Sequence, residues 1–205
     1  MVNYAMRSQK NGIKSATSRA RRYSLIAVFA ALTVGLNLSP IKFPAPYAPF
    51  LWYQVWEIPI VATFIFLGFP ASVLVALINM IVLLTVFPGA LPTGPLYNFA
   101  AIVSMLLGTW FGLRLMRRLK CDAKTTAVPV ITLLGAAFRV IIMSFVNWTF
   151  LRFPPPIGYS LTEEAILLTL PLIALFNATL SLYTVPLGYV IAELIMRRAK
   201  ILLNS

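Results

Sequence analysis

Histidine is missing from all 205 residues, which removes the commonest general base and a common zinc ligand. Cysteine occurs once, at Cys121, so no intrachain disulfide can form. Charged residues make up only 11% of the chain, against roughly 25% in a soluble domain. No glycine-rich loop that could cradle a phosphate is present, so the chain carries no ATPase of its own. No pair of aspartates falls in two apolar segments, and Glu163-Glu164 sits at a helix start without a histidine to work with. No ring-forming filter motif or repeated charged face argues for a channel, and no inverted repeat argues for many secondary transporters. After the first apolar run, Pro40, Pro44 and Pro46 stand where a signal peptide would need small residues for cleavage, so that run is read as a retained span.

What is present is apolar. Hydrophobic residues make up 60% of the chain, and mean hydropathy is +0.88. Several apolar runs approach the roughly 20 residues that cross a hydrocarbon core. The class is therefore an all-α, multi-pass integral membrane protein of the cell membrane. Six spans are predicted: 23–39, ended by Pro40; 53–69, ended by Gly68-Phe69-Pro70; 71–87, ended by Pro88-Gly89; 97–116; 127–150, ended by Pro154-Pro155-Pro156; and 165–196. Pro171 and Pro186 are expected to bend the last, and Ser160-Leu161-Thr162-Glu163 resembles a capping box before it. The domain reading is a basic tail over 1–22, one membrane domain over 23–200 and a short tail over 201–205.

The net charge of +12 would suggest nucleic acid in a soluble protein. Here the basic residues flank apolar runs and set topology, so no nucleic acid is expected. Arg7, Lys10, Lys14, Arg19, Arg21 and Arg22 precede the first span. Arg114, Arg117, Arg118, Lys120 and Lys124 surround the fourth connection, and Arg197, Arg198 and Lys200 follow the last span. That places fourteen cationic residues on one side, against Lys42 and Arg152 on the other. The positive-inside rule then puts both termini in the cytoplasm.

The opposite side carries longer connections rich in proline and aromatics: PIKFPAPYAPFLWY (40–53), PGALPTGPLY (88–97) and RFPPPIGYS (152–160). Prolines stiffen such loops. They suit a lid over a pocket, or an aromatic belt at the headgroups in which Trp52, Tyr53 and Trp56 take part. Polar residues at membrane depth are costly and mark function or interhelical bonding. Glu57 lies one turn into the second span beside Pro59; Asn79, Asn98, Asn147 and Asn177 lie in later spans. Arg139, mid-span, needs an acidic partner or backbone carbonyls. Glu57 is the one acidic residue in the outer half of a span, which makes a Glu57–Arg139 pair a hypothesis that sequence alone leaves open. Asn147 is eight residues from Arg139, on nearly the same helix face.

In the first span, LIAVFAALTVGL (25–36) repeats a small residue every fourth position: Ala27, Ala31 and Gly35. That spacing lets a second helix approach closely, whether from this bundle or from another subunit. Together with other motifs it resembles the S-component, or substrate-capturing subunit, of energy-coupling factor (ECF) transporters, and most of all the riboflavin branch. Trp56-Glu57-Ile58-Pro59 resembles that branch's start of span two. Gly94 with Tyr97-Asn98-Phe99-Ala100 resembles its start of span four. Arg139 through Met143 to Asn147-Trp148 resembles its span five, and Pro171 through Phe176-Asn177 its span six. The likeness extends over roughly residues 25–196. It departs at Leu180, three after Asn177, where the riboflavin branch commonly carries lysine.

The resemblance implies a six-transmembrane-helix S-component bundle that captures riboflavin or a related vitamin from outside. It would hold no cofactor or metal of its own and catalyse nothing. Lys42, Trp52, Glu57, Asn98, Asn147 and Asn177 are the implied substrate contacts, with loop 40–53 as the lid. Ala27, Ala31 and Gly35 are the implied docking stripe for the transmembrane T-component, and two separate ATPase subunits would drive tilting of the whole subunit. A stand-alone secondary transporter or small channel, and a membrane enzyme, are the alternatives.

Overall fold

The computed structural model describes residues 2–86, 91–119 and 124–204, with side chains described over 19–86, 91–119 and 126–198. Pro88-Gly89, Lys120 and Cys121 lie outside the described residues, as do the side chains of Arg7, Lys10, Lys14, Lys124 and Lys200. Six helices and one hairpin follow in order: α1 (Val2–Leu38), β1 (Lys42–Ala45), β2 (Ala48–Gln54), α2 (Glu57–Leu67), α3 (Phe69–Val86), α4 (Gly94–Arg118), α5 (Lys124–Phe150) and α6 (Glu163–Asn204). Among the described residues four of them, α3 to α6, are long and apolar enough to cross a membrane. α1 already begins at Val2, so the segment read as a basic tail continues the first helix.

α2 has only 11 residues, about 16 Å of helix, too short to cross roughly 30 Å of hydrocarbon upright. Glu57 through Phe64 are all buried, because α2 runs between its neighbours and below its first turn is apolar except for Thr63, whose hydroxyl donates to Pro59 O at 2.8 Å. It packs on α1, α3 and α6, while α4 packs on α5 and α5 on α6. The main core gathers Phe29 from α1, Ile60 and Val61 from α2, Val75 from α3, Met105 and Leu106 from α4, Ile131 from α5 and Val185 from α6. On α5, α6 and α1 the opposite faces carry exposed Leu168, Ile141, Phe145 and Val28, a surface suited to lipid rather than water.

Two glycine features shape this packing. Gly68 alone joins α2 to α3 at φ +91, a backbone region that residues with a Cβ rarely occupy. Gly108 lets α4 meet α5 backbone to backbone: a Cβ there would stand 2.3 Å from Leu134 O.

The structure differs from the sequence expectations at three places. The proline-rich stretch after Pro40 is a two-stranded antiparallel hairpin, with Lys42 opposite Gln54, Phe43 opposite Tyr53 and Pro44 opposite Trp52. A hairpin of two strands leaves each strand one open edge, where proline's missing N–H costs nothing. Residues 53–56, read as the start of the second span, instead finish this hairpin and its turn into α2. At the start of α6, Thr162 and not Ser160 caps the helix: its Oγ1 accepts from Ala165 N at 3.3 Å.

Candidate ligand-binding site

Glu57 opens α2, where the positive end of the helix dipole favours a carboxylate. Arg139 of α5 faces it, and each side chain is only 3% exposed. The guanidinium grips the carboxylate with both arms. Nη1 donates to Glu57 Oε2, and Nη2 donates to Oε1 at 2.8 Å. Nε donates to Asn177 Oδ1 on α6 at 2.8 Å, and Met105 Sδ lies 3.6 Å from Nη1. Asn177 is oriented by its own Nδ2, which donates to Ile173 O at 2.9 Å. A buried charge pair is tolerated when the fork geometry is complete and the remaining polar atoms are bonded. The pair inferred from the sequence is therefore present, with Asn177 as its third member.

Above the pair is a cavity of about 190 Å3. The hairpin supplies Phe50, Leu51, Trp52 and Gln54 to its wall. Trp56 and Glu57 at the start of α2, Asn98 of α4, Arg139 of α5, and Phe176 and Leu180 of α6 supply the rest. The hairpin is tied to α6 over this space. The Tyr53 hydroxyl lies 2.6 Å from Thr179 Oγ1 and 2.6 Å from the Tyr47 hydroxyl. Because Thr179 Oγ1 also approaches Leu175 O at 2.9 Å, this polar chain ends on the backbone of α6. Tyr183 donates to Gln54 O at 2.6 Å. The Tyr53 ring leans on Phe176, with ring centroids 5.0 Å apart. Nearby, the Thr93 hydroxyl donates to Pro156 O and Tyr97 to Ile157 O at 2.8 Å, joining two more of the proline-rich connections.

Of the sequence-predicted contacts, Trp52, Glu57 and Asn98 line the cavity. Asn177 is bonded to Arg139 and does not form part of the wall. Asn147 is buried two turns from Arg139, and its amide donates back to Met143 O at 2.7 Å, outside the wall. Lys42 pairs with Gln54 across the hairpin and is likewise outside the wall. Gln54, Phe50, Trp56, Phe176 and Leu180 were not among the predicted contacts. Phe176 and Trp56 belong to motifs already quoted, whereas Gln54 had no signal because it was read as helix. Its Oε1 is buried without a hydrogen-bond partner.

On α1, Ala27, Ala31 and Gly35 are all exposed. A Cβ built on Gly35 would meet nothing within 4 Å. The helix packs inward through Ile26, Phe29, Ala30, Thr33 and Asn37 instead. Asn37 Nδ2 donates to Asn79 Oδ1 of α3 at 3.3 Å, which gives Asn79 an interhelical partner. The small-residue stripe is thus not spent on packing within the described bundle. Glu163 and Glu164 are exposed in the first turn of α6, where the helix dipole favours acidic side chains.

No family model matches the sequence, and no curated protein does. Among solved structures, the S component of a bacterial ECF transporter superposes with TM-score 0.60, covering 91% of this chain and 99% of that one at 22% identity. The chain is a multi-pass, largely helical membrane protein with the fold of that S component.

Proposed function

We propose that this chain is the substrate-capture subunit of an ATP-driven ECF transporter, taking riboflavin or a related vitamin from outside the cell. In this reading α1 and α3 to α6 are full spans and the short α2, buried among them, makes the second pass, which leaves both termini in the cytoplasm, as the fourteen-to-two distribution of cationic residues favours. The ligand enters beneath the 42–54 hairpin. A T-component helix lies along Ala27, Ala31 and Gly35, and two ATPase subunits act through it.

One observation carries the reading. A single S-component fold holds an aromatic cavity under a tied hairpin at one end, and along its first helix a row of small residues left bare. A row of small residues on a lipid-facing helix gains nothing from lipid and lets another helix approach closely. The cavity joins rings that can stack with a few polar groups that can orient a ligand, the usual composition of a small-molecule site. Leu180 in the wall, at the position of the riboflavin branch's lysine, favours a relative of riboflavin that needs no cationic contact there.

Replacing Ala27 and Ala31 together by Trp tests it. Copurification with a T-component and ATP-dependent uptake should be lost, while the isolated variant still binds the small molecule that copurifies with the wild type, identified by mass spectrometry. Uptake by cells lacking any T-component would replace this reading with a stand-alone transporter.

A further inference from the structure

We propose that Arg114, held on the Trp110 ring at the arginine-rich end of α4, binds the phosphate of an anionic phospholipid, with Arg117 beside it. The inference goes beyond the capture reading and needs only that α4 crosses a membrane.

Depth comes first. α4 runs from Gly94 to Arg118 and is long and apolar enough to span. From Tyr97 near its start to Arg117 is about 30 Å of helix, the thickness of a hydrocarbon core. Arg114 and Arg117 therefore stand at headgroup level in the leaflet on that side. Leu107 is exposed seven residues before Arg114 and lies on nearly the same helix face, so apolar surface for an acyl chain continues below the cation.

Order comes second. Arginines at the ends of spans ordinarily snorkel, with their heads free in water. The Arg114 guanidinium carbon instead lies 4.0 Å from the Trp110 ring centroid. That half-buried indole leans on Phe69, with centroids 6.4 Å apart, and Phe69 meets Phe64 edge-on at 6.3 Å. Phe69 opens α3 directly after the Gly68 turn. Three rings from α2, α3 and α4 thus form a platform under one guanidinium. A guanidinium with its face on an indole keeps its N–H edge pointing outward, and that edge can take two phosphate oxygens.

The third argument is what that edge is left with. On the opposite side Arg152 rests on Trp148 in the same way, 4.6 Å from the centroid. Its Nη2, however, donates to Trp148 O at 3.1 Å. Among the described residues the side chains of Arg114 and Arg117 make no hydrogen bond or ion pair. Glu193, an acid near the corresponding end of α6, is engaged by Arg197 at 2.7 Å. Arg117 and Arg118 offset the negative end of the α4 dipole, which leaves Arg114 as the recognising group. A cationic edge fixed at headgroup depth and left unpaired is complementary to a phosphodiester.

The test places the full-length chain in phosphatidylcholine nanodiscs with a minority of an acyl-brominated lipid, either phosphatidylglycerol or phosphatidylcholine. Bromine quenches tryptophan on contact. Trp110 is the reporter at this end, since Trp52, Trp56 and Trp148 lie toward the other. Brominated phosphatidylglycerol should quench the wild type more, with a local preference of about fivefold. The excess should vanish in Arg114→Gln and persist in Arg152→Gln, each checked for folding by its melting temperature. Equal quenching by the two lipids in the wild type would overturn the proposal. An excess that survives Arg114→Gln would do the same, and one lost in Arg152→Gln would move the contact to the opposite side. Loss of the excess on adding millimolar glycerophosphoglycerol would assign the site to soluble phosphates and not to lipid. Should Arg114→Gln melt early, Arg114→Lys keeps the charge without the fork; it should lose most of the excess, and full retention would overturn the role of Arg114. None of these outcomes bears on ligand capture.

Discussion

Arg139→Met should be among the most damaging single substitutions in this chain, and Glu57→Leu added to it should restore much of the loss. The single change leaves the Glu57 carboxylate, 3% exposed, with no counter-ion. It also removes the donor that Asn177 Oδ1 receives at 2.8 Å. Removing one partner of a buried pair costs about 3–5 kcal/mol, because the other charge remains desolvated. The orphaned amide oxygen adds about 1–3 kcal/mol, though terms within one network do not sum simply. In the double variant both charges are gone, and what remains is the Asn177 oxygen and imperfect packing, about 1–3 kcal/mol. The coupling between the two sites should therefore exceed about 2 kcal/mol. Unfolding by SDS titration in mixed micelles would measure all three variants. In a thermal melt the single change should lower the midpoint by about 10 °C, taking 2–4 °C per kcal/mol for a chain of this size. A double variant no more stable than Arg139→Met would refute the reasoning, as would a single variant within about 1 kcal/mol of wild type.

Other substitutions probe other parts of the structure. Gly108→Ala would place a Cβ 2.3 Å from Leu134 O and 2.8 Å from Phe138 Cβ, so α4 and α5 must part. A loss of about 1–3 kcal/mol or more should appear in the same titration, whereas Gly35→Ala, with nothing within 4 Å, should stay within about 0.5 kcal/mol. Tyr53→Phe removes the hydroxyl that joins Tyr47 and Thr179. At about 1 kcal/mol of net bonding, ligand release measured by stopped flow should quicken roughly fivefold, and an unchanged rate would mean that the hairpin does not gate release. Burial pushes the Tyr53 phenol above its usual 10.0. The contribution of this latch is therefore fully present below about pH 10 and lost as pH rises through the folded-state value, so release should be insensitive to pH near neutrality.

The sequence by itself determined the class and most helix boundaries to within a few residues, and it raised the ion pair as a hypothesis. Hydropathy acts locally, and a run such as 71–87 must leave water wherever the rest of the chain goes. Proline and glycine punctuate helices through their own backbone, so the turn at Gly68 was legible from Gly68-Phe69-Pro70. Arg139 at membrane depth demands a partner, and Glu57 was one candidate beside backbone carbonyls; the folded bundle made the choice by bringing α2 against α5. The tertiary structure alone decided where polar side chains point and whether a space exists between them. Asn147 shares a helix face with Arg139, yet its amide turns back to Met143 O, a rotamer that no spacing rule specifies. Gln54 became a wall residue because the proline-rich loop closed as a hairpin and Tyr183, 129 positions away, took its carbonyl. The bare stripe on α1 could have packed on either side until Ile26, Phe29 and Ala30 were seen to fill the inward face. Local propensity extends over a turn or two of chain. A cavity is set by the balance of contacts among segments far apart in sequence, and only the folded bundle brings those segments together.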